Sequence, residues 1–275
     1  MKCWLITGAS RGLGRAFAEA ALERGDHIAA TSRNPESLKD LVDRFGQAVL
    51  PLELDVTDTP AIKRAFNEAV TKLGHLDIVV NNAGYILLGA LEETTEEEVR
   101  EQIETLFFGP LFITKEAVRH MRERGRGTIV QVSSLAAVGG LPGNSMYAAG
   151  KWALEGMSEA LKREVESLGI RVIMIAPAGI HTDVGHGVKH SKPLPAYENI
   201  MREQRERWAC GEDVHAAGDP KRCAQVLLDL VGRPDPPTRL LMSAEATEVA
   251  QMIWNERLQE AKAWAPVSRS VNYPK

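Results

Sequence analysis

Tyr147 and Lys151 stand four residues apart, and Ser134 lies thirteen residues before the tyrosine. On a helix an i, i+4 pair shares one face, so this spacing sets a phenol beside an ammonium. An ammonium there favours phenolate. A tyrosine starts near pKa 10, and bringing it to about 7 takes roughly 4 kcal/mol, within reach of one cation in a partly dry site with help from a second positive group. A phenol so tuned gives or takes a proton near neutrality, and a serine hydroxyl close by polarises the same carbonyl oxygen. The three residues fit an amphipathic surface helix with a capping serine equally well in isolation, so they gain meaning only beside a place for a reacting partner.

Such a place is legible at Thr7-Gly8-Ala9-Ser10-Arg11-Gly12-Leu13-Gly14, between an apolar run and a helical pattern. Gly8, Gly12 and Gly14 allow close backbone approach, and the free amides at the helix start, in the stretch from Ser10 to Leu13, face a diphosphate. A tight turn that needs glycine for its dihedrals is the other reading. In dinucleotide folds an acidic residue closing the second strand holds the adenosine ribose hydroxyls. Here that place reads Thr31-Ser32-Arg33. With Ser32 where the acid would stand, Arg33 beside it and Arg11 in the glycine turn meet a 2′-phosphate by charge-assisted hydrogen bonds, which points to NADP(H) rather than NAD. A solvated arginine heading a loop is the alternative for Arg33. The second positive group acting on Tyr147 is then an oxidised nicotinamide, which also carries the hydride chemistry.

Leu54-Asp55-Val56-Thr57 and Asn81-Asn82-Ala83-Gly84 follow the glycine turn in order and precede the Ser134, Tyr147, Lys151 spacing. Over residues 1 to about 182 the chain resembles the short-chain dehydrogenase/reductase (SDR) family. The resemblance implies that Asp55, with Val56, bonds the adenine; that Asn81, with Ala83 and Gly84, supports the cofactor strand; that Ser134 and Tyr147 hold the substrate oxygen; and that Lys151 bonds the nicotinamide ribose. Pro177-Ala178-Gly179-Ile180-His181-Thr182 resembles the family stretch whose backbone and threonine contact the nicotinamide carboxamide, here through Pro177, Ile180 and Thr182. The implied reaction interconverts a ketone and a secondary alcohol on a hydrophobic small molecule, with Tyr147 as acid/base. An SDR-type epimerase or lyase, or a non-catalytic NADP-binding sensor, are the alternatives. The intact Ser134, Tyr147 and Lys151 argue against the sensor.

Two departures from the family pattern stand out. Ala178 replaces the usual glycine, and its methyl is expected to shift the turn. Leu106, in Leu106-Phe107-Phe108-Gly109-Pro110, replaces an asparagine whose backbone carbonyl holds a water on the proton path to the active-site lysine. Pro110 lacks an N–H and clashes with the carbonyl four residues back, so the Leu106 oxygen is expected to leave the helix ladder and still hold that water.

Elements must position these residues. Apolar runs from Lys2 to Thr7, His27 to Thr31, Ala48 to Leu54, Ile78 to Val80, Thr128 to Ser133, Arg171 to Ala176 and Thr238 to Met242 alternate with helical stretches. That trace predicts an α/β fold: one doubly wound parallel sheet of about seven strands, a Rossmann fold, in a single domain over 1–275. After Thr182, residues Gly185, His186, Gly187, Pro193 and Pro195 break regular structure, and a polar helical segment runs from about Ala196 to Ala209. An insertion at about 184–215 would lie over the crevice as a lid. A helix start at Asp219-Pro220 and a C-terminal helical extension at about 245–264 follow. The site helix begins near Asn144 or Ser145 and offers Met146, Trp152, Leu154, Met157 and Leu161. These pack on the sheet or, as the resemblance implies, meet a partner in a homodimer or homotetramer.

Composition bounds the rest. Among 275 residues, 33 Lys and Arg against 37 Asp and Glu give a net charge of -4, with no pull toward nucleic acid or anionic membranes. The N-terminal apolar run breaks at Gly8, far short of the roughly 20 residues of a membrane span. Cys3, Cys210 and Cys223 form no CxxC pair and suit a reducing compartment, so a cytoplasmic location is expected. The acidic run Glu92, Glu93, Glu96, Glu97 and Glu98 reads as solvated carboxylates on the positive end of a helix starting near Thr94 or Thr95. His186 and His190 have i, i+4 spacing, but Gly185 and Gly187 oppose a helix there, so no metal is expected; His181 is placed to face substrate.

Overall fold

Cys3–Ile6 (β1) is buried at every position, as a strand covered on both faces must be. The computed structural model describes residues 1–182, 187–209 and 216–273. In it, β1 lies between His27–Ser32 (β2) and Ile78–Asn81 (β4), with Ile6 opposite both Ala30 and Val80. Val49–Glu53 (β3) pairs with β2 on one side; Gly127–Val132 (β6), Ile170–Pro177 (β7) and Arg239–Met242 (β9) continue from β4 on the other. The sheet is parallel throughout, in the order β3-β2-β1-β4-β6-β7-β9. Between β1 and β4 the winding reverses, which opens a crevice beyond their carboxyl ends.

Alternation along β1 divides the core. Trp4 and Ile6 face a layer built by Gly12–Glu23 (α1), Lys39–Phe45 (α2) and Pro220–Gly232 (α8), whereas Leu5 faces Thr59–Leu73 (α3) and Gly109–Arg124 (α5). Glu96–Ile103 (α4) is capped by Thr95 and runs into a π-turn at Glu104–Phe108. Ser145–Val165 (α6) follows β6. Pro110 supplies no N–H for the Leu106 carbonyl, and the helix widens there, with the Gly109 N–H bonding the Glu104 carbonyl.

The amino ends of the strands are tied by two carboxylates. Asp26 accepts from the Lys2 N–H (2.8 Å) and the Trp4 indole (2.9 Å) and pairs with Arg24. Asp77 accepts from the Cys3 N–H and from Arg124, both at 3.0 Å. Burial opposes the charge of both acids, yet these donors hold each below the usual carboxylate range. Cys3, His75 and Asp77 bring three metal-ligating atoms within 4.8 Å of one another. The Arg124 cation and the Cys3 N–H already occupy the Asp77 oxygens, so the cluster is a structural clamp.

The seven expected strands form within two residues of their sequence bounds. A short parallel pair, Leu87–Leu88 (β5) with Lys189–His190 (β8), was not foreseen, nor was the length of the last helix, Ala244–Arg269 (α9). Only Ala246 and Ala250 of α9 are buried, and Trp254, Leu258 and Trp264 are exposed. Glu198–Trp208 (α7) matches the polar helix expected in the insertion. Expectations placed on residues 184–186 and 210–215, including Gly185, His186 and Cys210, lie outside the described residues.

Candidate active site

Gly8 (φ 67°) and Gly12 (φ 58°) adopt the left-handed backbone that favours glycine. A Cβ on Gly14 would stand 2.3 Å from both Asn82 Nδ2 and the Gly8 carbonyl oxygen, so α1 meets the turn only without a side chain there. Two residues absent from the sequence-derived set lock the turn to β4. Asn82 Nδ2 donates to the carbonyls of Thr7 (2.9 Å) and Gly8 (3.1 Å). Thr7 Oγ1 accepts from the N–H groups of Asn82 (2.9 Å) and Ala83 (3.0 Å). The available signal was a polar residue beside each glycine segment.

Asn81 does not reach the crevice with its side chain. Buried, it donates to Gln131 Oε1 (2.9 Å) and Thr114 Oγ1 (3.0 Å), tying β4 to β6 and α5. Leu13 packs against the core, Ser10 is half-buried in the turn, and Gly84 is exposed beside it. α1 starts with neither a side-chain cap nor an acid in its first turn, whereas α3, α4, α8 and α9 each have a capping side chain. Uncapped N–H groups over an open glycine turn fit a diphosphate.

At the neighbouring rim, Ser32 closes β2, and Arg33 and Arg11 are both exposed. Arg11 lies against Gly187, where a Cβ would stand 2.6 Å from Nη2. Asp55 is exposed and accepts from the Thr57 N–H (2.9 Å) and hydroxyl (2.8 Å), while Val56 packs its carbonyl against Gly109. Pro177 ends β7, Ile180 is buried opposite Gly218, and Thr182 lies across from Gly12, whose Cβ would stand 3.8 Å from that of Thr182. Ala178 does not take the left-handed backbone, which falls one place on at Gly179 (φ 56°).

Ser134 leaves β6 in extended conformation and accepts from the Ala136 N–H (3.1 Å). Its hydroxyl acts on the Tyr147 phenol in the sense that favours phenolate. Lys151, one turn on, is buried; its Nζ donates to the Val132 carbonyl (2.7 Å) and lies 5.8 Å from the Tyr147 ring centroid. Burial pushes the Lys151 ammonium down to about 8, against the Glu155 carboxylate one turn further. Burial also raises the Tyr147 phenol, and Ser134 only partly opposes it. The acidification expected from the helical spacing is thus absent in the protein alone. Desolvation outweighs an ammonium that is tied to a strand carbonyl. Glu155, another residue missed from sequence, is buried and accepts from Ser133 Oγ (2.5 Å) and Arg239 Nε (2.7 Å), joining β6, α6 and β9 behind the lysine.

Glu96, Glu97 and Glu98 occupy the first turn of α4 behind Thr95, as expected, but part of the acidic run has a second role and Glu93 is not solvated. Buried Glu93 accepts from the Leu194 N–H (2.8 Å) and Arg205 (2.7 Å), Glu92 from the Tyr197 hydroxyl (2.6 Å), and Glu98 from Ser191 (3.0 Å). These carboxylates dock residues 187–209 on the body, beside the β5–β8 pair. His181 and His190 are exposed, and His190 sits on an extended strand rather than a helix.

An uncapped glycine turn at the switch point of a parallel sheet, with a serine, tyrosine and lysine beside it, defines a doubly wound oxidoreductase fold of the dinucleotide class. Residues 2–193 match the family described as short chain dehydrogenase, and the chain belongs to that family. It is 39% identical over 254 residues to oxidoreductase BOA17 of Botryotinia fuckeliana, covering 90% of this chain and 91% of that protein. It is 32% identical over 271 residues to a 3-ketodihydrosphingosine reductase of Bacteroides thetaiotaomicron, covering 95% and 92%. A short-chain dehydrogenase structure from Streptomyces avermitilis superposes with a TM-score of 0.93 at 35% identity, covering 99% of this chain and 100% of that one. Among the described residues no helix is long and apolar enough to cross a membrane.

Proposed function

We propose that this protein interconverts a ketone and a secondary alcohol on a hydrophobic small molecule, with NADP(H) as hydride partner and Tyr147 as acid/base. The observation that carries the reading is the buried Lys151 ammonium, bonded to the Val132 carbonyl at the crevice end of β6 and 5.8 Å from the Tyr147 ring centroid, with Ser134 acting on the same phenol. When bound, the nicotinamide supplies or accepts the hydride. Tyr147 hands its hydroxyl proton to the carbonyl oxygen as charge gathers there, and Ser134 donates a hydrogen bond to the same oxygen. Lys151 offers its ammonium to a ribose hydroxyl and keeps positive charge beside the phenol.

Preference for the 2′-phosphate rests on Ser32 in place of an acid and on exposed Arg33 and Arg11 at that rim. Asp55 and Val56 flank the adenine, Ala83 and Gly84 line the floor, and Pro177, Ile180 and Thr182 face the carboxamide. The name of the Bacteroides relative supports a ketone as the reduced group. The segment 187–209 is held on the body by Val188, Tyr197, Met201 and Trp208 packed against Leu88 and Ala90. Buried, unpaired Cys3 and Cys223 suit a reducing cytoplasm.

Purified protein with NADPH or NADH and a panel of ketones and quinones tests the reading at the reduced-nicotinamide absorbance. Consumption of NADPH in preference to NADH is expected. In Tyr147→Phe the rate should fall about 10²- to 10⁴-fold while NADPH still binds. Isomerised product without net consumption would instead mark an epimerase, and tight NADPH binding without turnover a sensor.

A further inference from the structure

Leu106 sits fully buried at the centre of the π-turn, and two glycines make room for it. A Cβ on Gly150, the residue before Lys151, would stand 2.9 Å from Leu106 Cβ and 3.2 Å from its Cδ1. One on Gly84 would stand 2.8 Å from Leu106 Cδ2 and 3.9 Å from Lys151 Nζ. The leucine therefore fills the space between the two backbone segments that flank the ammonium, and neither segment accepts a side chain while Leu106 keeps its place.

We propose that Leu106 is a positioning residue for Lys151: paired with Gly150, it closes the helix side of the ammonium with hydrocarbon, so that Lys151 exchanges its proton through the crevice alone. The inference rests on Lys151 belonging to the reaction site proposed above. The ammonium is bonded to the Val132 carbonyl. Titratable and charged groups facing it are Tyr147 and Glu155 on its own helix, with Arg239 of β9 behind Glu155. β4 and the π-turn contribute Gly84 and Leu106, which carry no charge, and Glu104 of that turn is exposed. With hydrocarbon on that side, burial sets the ionisation of Lys151 and holds it near 8.

The test is NMR titration of the 13C-labelled lysine side chains, with Lys151→Met assigning the resonance. In Leu106→Asn, and in Leu106→Ala, which admits water without adding a polar group, the Lys151 titration should rise by about one pH unit. Leu106→Met, which restores hydrocarbon, should hold the parent value, and the alkaline limb of the turnover profile should move with the titration. An unmoved Lys151 titration in both Leu106→Asn and Leu106→Ala would overturn the proposal. Absence of ketone turnover in the parent would sink the proposed activity, while the titration still decides the role of Leu106.

Discussion

A phenol held above its ordinary pKa keeps its proton across neutrality, and this decides which form of Tyr147 is populated for each direction of the reaction. Ketone reduction needs the protonated hydroxyl; alcohol oxidation needs phenolate. With the phenol raised by burial, the acid form persists across neutrality and the base form gathers only as pH climbs. Reduction rates are therefore expected to stay level from about pH 6 to 7 and to fall as Lys151 loses its proton near 8, while oxidation rates rise above neutrality until the same loss limits them. Initial rates in both directions across that range check this, and oxidation that is fastest at the acid end would refute it. Tyr147 and Lys151 are legible as one helix face, and with Ser134 they gain meaning from the glycine turn that precedes them in the sequence. Helical spacing says nothing of Val132, whose carbonyl arrives from a strand to take the ammonium, nor of the Thr7 and Asn82 cross-links between distant segments.

At the scale of elements, strands buried on both faces read as continuous apolar runs, which is why all seven sheet strands are found from sequence. Features set by tertiary pairing are not. The β5–β8 pair is two residues long in each strand, too short for periodicity, and the carboxylates from Glu92 to Glu98 look solvated until residues 187–209 fold onto them. Burial works against the Glu93 charge, but the Leu194 and Ala90 N–H groups and Arg205 prevail and hold it below the usual range. Its stabilisation is thus complete above the ordinary glutamate pKa and is lost as pH falls through the lowered value. Glu93→Gln leaves Arg205 paired only with the more exposed Glu198, a change that costs about 1–3 kcal/mol. Hydrogen exchange should show protection lost across 187–209 with the sheet unaffected, and KM should rise more than kcat falls. Unchanged protection would mean that Glu93 does not hold the segment.

For the molecule as a whole, α5 and α6 leave between them a groove of about 450 Å3, lined by Leu111, Val118, Met157 and Leu161 and rimmed by Lys115 and Glu164. Apolar floor and charged rim are the anatomy of a self-association face. The expected outcome is a dimer or tetramer in sedimentation velocity that Met157→Glu dissociates; a parent that sediments as a monomer at micromolar concentration would count against it. At the opposite end from the crevice, Asp26 and Asp77 fasten the first strands through Lys2, Trp4, Cys3 and Arg124. The sheet is bound there like a book at its spine. Its fore-edge, where the glycine turn, the Ser134 segment and the docked helix α7 meet, is free to be recut for cargo of another shape without loosening the binding.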